Sequence, residues 1–102
     1  MADAVEIKDN TAESRFETRL GDDVAFADYR LQPGKLVLPH TVVPPAFEGR
    51  GVASALARYA FGYARDKGMK VIPTCPFMAG WVKKHPEVHD IIDESCRGAL
   101  GI

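Results

Sequence analysis

A chain of 102 residues, 46% apolar and 26% charged, has the composition of one ordinary globular domain. Thirteen Lys and Arg against fourteen Asp and Glu leave a formal net charge of -1, which excludes the basic surplus of a bulk nucleic-acid binder. No apolar run approaches the roughly 20 residues that cross a bilayer, so no membrane partner is expected. The opening Met1-Ala2-Asp3-Ala4-Val5-Glu6 lacks the basic and apolar regions of a secretory leader. Two cysteines, Cys75 and Cys96, make no disulfide framework, and together these features lead us to expect a cytoplasmic protein.

The first ten or so residues are mixed, with Asp9-Asn10 as a turn signal, and are expected to be loose. Ser14 to Leu20 alternates Phe16, Thr18 and Leu20 against Arg15, Glu17 and Arg19, the pattern of a half-buried strand. Gly21-Asp22-Asp23 turns the chain into a second strand, Val24 to Leu31, with Val24, Phe26 and Asp28 on one face. After Gln32-Pro33-Gly34 a third strand runs from Lys35 to Val43. Pro39 inside it cannot donate to a ladder, which predicts a bulge or an edge there.

A helix follows. Val52, Leu56, Ala60 and Ala64 form an i, i+4 row flanked by Ala53, Ala57 and Phe61, and Gly68 stands where a helix ends. Met69 to Pro73 is a short apolar strand, reached by a connection long enough for a crossover to a parallel neighbour. Thr74-Cys75-Pro76 opens a short helix to about Lys84, since proline suits the first helical position. His85-Pro86 breaks it, another turn or two runs to about Asp93, and the tail Cys96 to Ile102 is expected to be loose. Antiparallel strands followed by strand, glycine turn, helix and strand make one α+β domain over residues 1–102.

The glycine turn is the chemically informative segment. Glu48-Gly49-Arg50-Gly51-Val52-Ala53 joins a β-branched strand to the helix. Glycines there let the backbone turn sharply and approach a ligand, and the first helical turn leaves N–H groups unpaired at the positive end of the dipole. That geometry suits phosphate. No Gly-Lys-Ser/Thr follows, so the turn is not a Walker A loop, and it lacks the third glycine of a dinucleotide fingerprint. A plain helix-entry turn without ligand stands beside the phosphate reading.

Glu48-x-x-Gly51-x-Ala53 resembles the Gln/Arg-x-x-Gly-x-Gly/Ala turn of the GNAT superfamily of acetyltransferases, with Glu48 replacing the usual first residue. His40-Thr41-Val42-Val43-Pro44, Pro73-Thr74-Cys75-Pro76-Phe77 and His85-Pro86-Glu87 narrow the resemblance to its very short single-domain members. It runs from about Phe16 to Glu87. The resemblance implies a compact GNAT-like fold, with a mixed and mostly antiparallel sheet. It also implies acetyl-coenzyme A as cofactor and an amine as acceptor, either a protein lysine or a small molecule. Glu48, Gly49, Arg50, Gly51, Val52 and Ala53 would then surround the pyrophosphate of coenzyme A. The strand through Val42 and Val43 would pair with the pantetheine arm, and Cys75 would lie near the acetyl group.

Two residues are candidates for catalysis. Cys75 precedes Pro76 at a helix mouth, where the positive end of the dipole favours negative charge. It is read as an acyl-accepting nucleophile, as a proton donor to the departing thiolate, or as an inert buried thiol. His40, on a strand face with Leu38 and Val42, is read as the base for the acceptor amine or as a hydrogen-bonded structural histidine. Trp81 stands near where the family often has an acidic tyrosine. An indole cannot act as an acid, and packing over Phe77 is the expected role. His85 and His89 have helical spacing but no second pair of ligands, so no metal site is expected. The acceptor pocket has little chain to build it, which fits a monomer that takes a protein tail, or a weak homodimer. A coenzyme A-binding module with little or no catalysis is the alternative function.

Overall fold

Alternation in the first half of the chain builds four strands of a five-stranded sheet, and the fifth comes from beyond the main helix. A computed structural model describes residues 6–47, 49 and 51–102. The strands are β1 (Lys8–Asn10), β2 (Arg15–Leu20), β3 (Asp23–Gln32), β4 (Lys35–Val42) and β5 (Lys70–Ile72). The helices are α1 (Val52–Asp66), α2 (Pro76–Lys83) and α3 (Glu94–Leu100), with 3-10 turns at Pro45–Phe47 and Pro86–Ile91. The first four strands are antiparallel neighbours, and β5 pairs with β4 in parallel after the α1 crossover. The mixed, mostly antiparallel α+β sheet is therefore present. Among the described residues no helix is long and apolar enough to cross a membrane.

One face of the sheet carries the core. Phe16, Ala25, Ala27, Tyr29, Leu36 and Leu38 meet Leu56, Ala57, Ala60, Phe61 and Ala64 of α1, all buried. Alanines on both surfaces let the helix backbone approach the sheet closely, while Phe16, Leu36, Leu38 and Leu56 fill the space between. Each of those large side chains contributes about 1.5–3 kcal/mol through burial. The other face of the sheet presents Val24, Phe26 and Asp28, none of them fully buried. There Glu17 ties the strands together. It accepts from Asn10 Nδ2 and Arg15 Nε, each at 2.8 Å, with Arg19 Nε 3.5 Å from its other oxygen. Those bonds hold the Glu17 carboxyl below its ordinary range, Asn10 contributing most.

Pro39 produces the expected bulge. Asp28 pairs with His40 and Arg30 with Val37, so Leu38 and Pro39 together stand opposite Tyr29. The helix α1 ends as its sequence dictates. Gly68 takes φ 66°, its N–H reaches the Arg65 carbonyl at 3.2 Å, and Met69 N–H reaches Ala64 at 2.8 Å, the paired bonds of a Schellman motif.

Two stretches near the ends, Lys8–Asn10 and Glu94–Leu100, are more ordered than expected. Asp9-Asn10 lies in β1 rather than in a turn, which falls at residues 11–14 instead. The Tyr29 hydroxyl donates to Asp9 Oδ1 at 2.6 Å, and burial with that carboxylate pushes the phenol well up. The C-terminal stretch forms α3, which Asp93 caps by accepting from Ser95 N at 3.1 Å and from the Ser95 hydroxyl. Ile92 bridges Val71 in parallel, Asp93 N–H reaches the Val71 carbonyl at 2.9 Å, and Leu100 is buried. Gly98 and Gly101 suggested a frayed tail; long-range contacts to β5 override them.

Candidate functional site

The glycine turn has the backbone that its sequence requires. Gly49 and Gly51 lie at φ 78° and 68°, where side chains are strained, and a Cβ at either would meet nothing within 4 Å. Gly51 caps α1 without a side chain, and the first turn contains no acidic residue. Among the described residues nothing accepts from the N–H groups of Val52, Ala53 and Ser54. Val52 is buried and anchors the turn, while Ala53 is half-buried. Glu48 and Arg50 lie outside the described residues, so their expected contacts are not placed here. Donors with no acceptor among the described residues, at the positive end of a 15-residue helix, have the geometry that suits an anion.

Beside this cradle the sheet forks. β4 and β5 pair from Lys35 and Lys70 as far as Val37 and Ile72, where β5 ends before Pro73. The chain then leaves the sheet. Cys75 N–H donates to the Leu38 carbonyl at 2.9 Å, and Thr74 Oγ1 donates to the same oxygen at 3.4 Å. Beyond Leu38 the strand continues to Val42, paired with β3 on one side and with no strand on the other among the described residues. Val42 and Val43 border this open edge, both half-buried.

Cys75 closes the fork. It is the N-cap of α2 in extended conformation, 4% exposed, and its thiol donates to Thr41 Oγ1 at 3.4 Å. Thr41 is the residue that the sequence reading missed. Its signal was present, because one extra residue at Pro39 shifts the alternation and turns Thr41, not His40, to the helix side. Thr41 pairs with Ala27 of the core face, whereas His40 pairs with Asp28 of the other face. His40 therefore does not share its face with Leu38. It is exposed, lies on the sheet face away from Cys75, and has the Phe26 ring 6.5 Å away. The two residues singled out for catalysis are brought to one segment but to opposite faces of it.

Trp81 also departs from expectation. It stacks between Phe61, with centroids at 5.2 Å, and His85, at 3.7 Å, rather than over Phe77, which is 37% exposed. Its indole N–H is buried without a partner among the described residues. His85 Nδ1 and His89 Nε2 each donate, at 2.7 Å, to the Trp81 and Val82 carbonyls at the end of α2. Both rings are thus helix caps, and among the described residues no trio of His, Cys, Asp or Glu is disposed around a metal.

Known proteins resemble this chain in sequence and in fold. The family model for GCN5-related N-acetyl-transferases matches residues 15–91. Protein NATD1 of Xenopus tropicalis is 33% identical over 86 residues, covering 81% of this chain and 79% of its own. Protein NATD1 of Gallus gallus is 31% identical over 85 residues, covering 80% and 77%. The NMR solution structure of a GCN5-like chain from Staphylococcus aureus superposes with a TM-score of 0.70 at 25% identity, covering 87% of this chain and 88% of that one.

Proposed function

Because the chain belongs to the GCN5-related N-acetyltransferase family, we propose that it transfers an acetyl group from acetyl-coenzyme A to an amine. The observation that carries this reading is the joining of an uncapped helix N-terminus to a forked strand edge. The donor set suits the cofactor: consecutive backbone N–H groups at Val52 and Ala53 for a pyrophosphate, reached over glycines with open space where side chains would stand. The free edge of β4 from His40 to Val42 suits an amide-bearing arm, which pairs there as a strand would. Bound acetyl-coenzyme A supplies an acetyl group already activated as a thioester for attack by an amine nitrogen.

The chain's own groups divide the remaining work. A β4 amide at the fork stands ready to donate to a carbonyl oxygen as charge develops on it. The Cys75 proton points to Thr41, so Thr41 fixes the thiol's orientation at the mouth of α2. In this reading His40, exposed on the other face of the sheet, accepts a proton from the arriving amine. A second reading, a coenzyme A-binding module with little turnover, draws support from the burial of Cys75 and its separation from His40.

Calorimetry with coenzyme A tests the shared premise: no heat at millimolar ligand would sink both readings. Thiol release from acetyl-coenzyme A across a panel of amines and basic peptides separates them, since turnover supports the enzyme and binding without turnover supports the module. Mass spectrometry after incubation reports on Cys75. An added acetyl mass that disappears in Cys75→Ala marks the thiol as a nucleophile, and unchanged mass with continuing turnover marks direct transfer.

A further inference from the structure

A cavity of about 630 Å³ lies between the later turns of α1 and the chain that follows α2. That volume falls among those of small-molecule sites, roughly 300–1,000 Å³. Phe61, Trp81 and Val88, all buried, wall it with apolar surface. Gly62 leaves the room: it is exposed, its φ is ordinary, and a Cβ there would meet nothing within 4 Å. At a helical rise of about 1.5 Å per residue, Gly62 stands about 16 Å along the α1 axis from Gly51. The cavity is therefore separate from the glycine turn.

Its polar groups are mostly donors. Stacking covers both faces of the Trp81 indole, Phe61 at 5.2 Å and His85 at 3.7 Å, so the ring borders the cavity by an edge. Trp81 is 6% exposed, and its Nε1 proton has no acceptor among the described residues. Arg65 is fixed at the rim. Its guanidinium donates to both Asp90 carboxylate oxygens and to the Glu87 carbonyl, each at 2.9 Å. Those bonds cancel the Asp90 charge and still leave two of the five guanidinium N–H groups of Arg65 to spend. Arg58, two turns earlier on the same face of α1, adds a second guanidinium. Opposing them is the Glu87 carboxylate, the one acid of the lining that Arg65 does not hold.

We propose that this cavity binds a monocarboxylate with an apolar body. The body lies on Phe61 and Val88 over Gly62, and the carboxylate accepts from Arg58 and from the spare donors of Arg65. The indole edge carries the remaining donor, and the Trp81 proton gains an acceptor when the site fills. Glu87 opposes the ligand's charge and lowers the affinity. A free acid and the C-terminal carboxylate of a peptide share this chemistry.

The single tryptophan gives one indole N–H resonance, so NMR titration reads the site directly. The probes are 4-phenylbutyrate, its uncharged amide, and N-acetyl-leucyl-phenylalanine with a free carboxylate. With 4-phenylbutyrate the indole proton and the amides of residues 58–65 and 87–90 should move saturably, and the uncharged amide should bind much more weakly. Arg58→Gln weakens binding about fivefold, as for an exposed ion pair. Glu87→Gln tightens it, and Arg30→Gln, on the sheet, leaves it unchanged. Gly62→Leu fills the cavity from a position with ordinary φ and abolishes binding in a folded helix. Trp81→Phe keeps the stack, removes the donor and weakens binding as read at the Val88 amide. Preference for the free acid assigns a small molecule, and preference for the peptide assigns a chain terminus. An unmoved indole proton at millimolar acid, equal binding of the uncharged amide, or binding that survives Gly62→Leu overturns the proposal. Saturating coenzyme A should leave the acid bound; competitive displacement gives the cavity to the cofactor and overturns the proposal too. A protein that ignores coenzyme A but binds the acid loses the transfer reading alone.

Discussion

Replacing glycine by alanine at two positions of α1 should change stability in opposite directions. Gly62 lies inside the helix with an ordinary φ, and an added Cβ would meet nothing within 4 Å. Alanine exceeds glycine there by about 0.8–1.0 kcal/mol in helix propensity, so Gly62→Ala stabilises by about 1 kcal/mol. Gly51, at φ 68°, also has open space around its missing Cβ, but the left-handed backbone penalises any side chain by about 1–2 kcal/mol. Stiffening of the unfolded chain returns about 0.4–1 kcal/mol, which leaves Gly51→Ala destabilised by about 1 kcal/mol. The two variants should therefore differ by about 2 kcal/mol, or on the order of 10 °C in Tm for a domain of this size. Urea unfolding followed by far-UV circular dichroism and by the fluorescence of the single tryptophan, Trp81, measures both. Coincident transitions and an unchanged m-value license the comparison. Gly51→Ala should also weaken coenzyme A binding beyond its stability loss, and Gly62→Ala should not. Shifts of the same sign, or a gap well under 1 kcal/mol, would refute the assignment of Gly51 as a conformationally required turn residue.

Three further outcomes are expected. The depressed Glu17 carboxyl contributes stability that is present above its ordinary value of 4.5 and lost as pH falls through the folded value. Glu17→Gln should accordingly lower Tm at pH 7 and flatten the acid limb of a Tm-against-pH series, while Asp90 and Asp93, also depressed, keep part of that limb. Trp81→Phe retains the stack on Phe61 and His85 and removes an unpaired buried donor, so stability should stay within about 1 kcal/mol of the parent, whereas Trp81→Ala should lose about 3–5 kcal/mol. Leu38→Ala opens a fully buried site beneath the fork and should destabilise by about 2–5 kcal/mol in denaturant titration.

Local rules made much of this fold legible. Gly68 ended α1 where a left-handed residue was needed, Pro76 opened α2, and Pro39 announced a bulge or an edge. What the bulge does to the residues after it was signalled by Pro39 but not carried through, because a strand's alternation holds only while the register is constant. Thr41 and His40 exchanged faces for that reason. Trp81 was misassigned to Phe77, a close neighbour in sequence, when its partner Phe61 comes from another helix. The tail failed in the same way. Nothing local in Cys96 to Ile102 favours a helix strongly, and α3 is held by Asp93 and by the Val71–Ile92 bridge. The glycine turn itself was legible from its local sequence between strand and helix, since φ above zero needs no distant partner.

Two imino acids flank the fork, Pro39 within β4 and Pro73 just past the end of β5. The next rung of the parallel pair would use the Leu38 carbonyl, which is already taken by Cys75 N–H at 2.9 Å and by the Thr74 hydroxyl at 3.4 Å. Zipping the pair further would first break those bonds, so the gap is held open by contacts made at its own base. A molecule arriving at the gap meets an opening that already exists, and its rate of entry should follow diffusion and charge, with no slow conformational gate ahead of it.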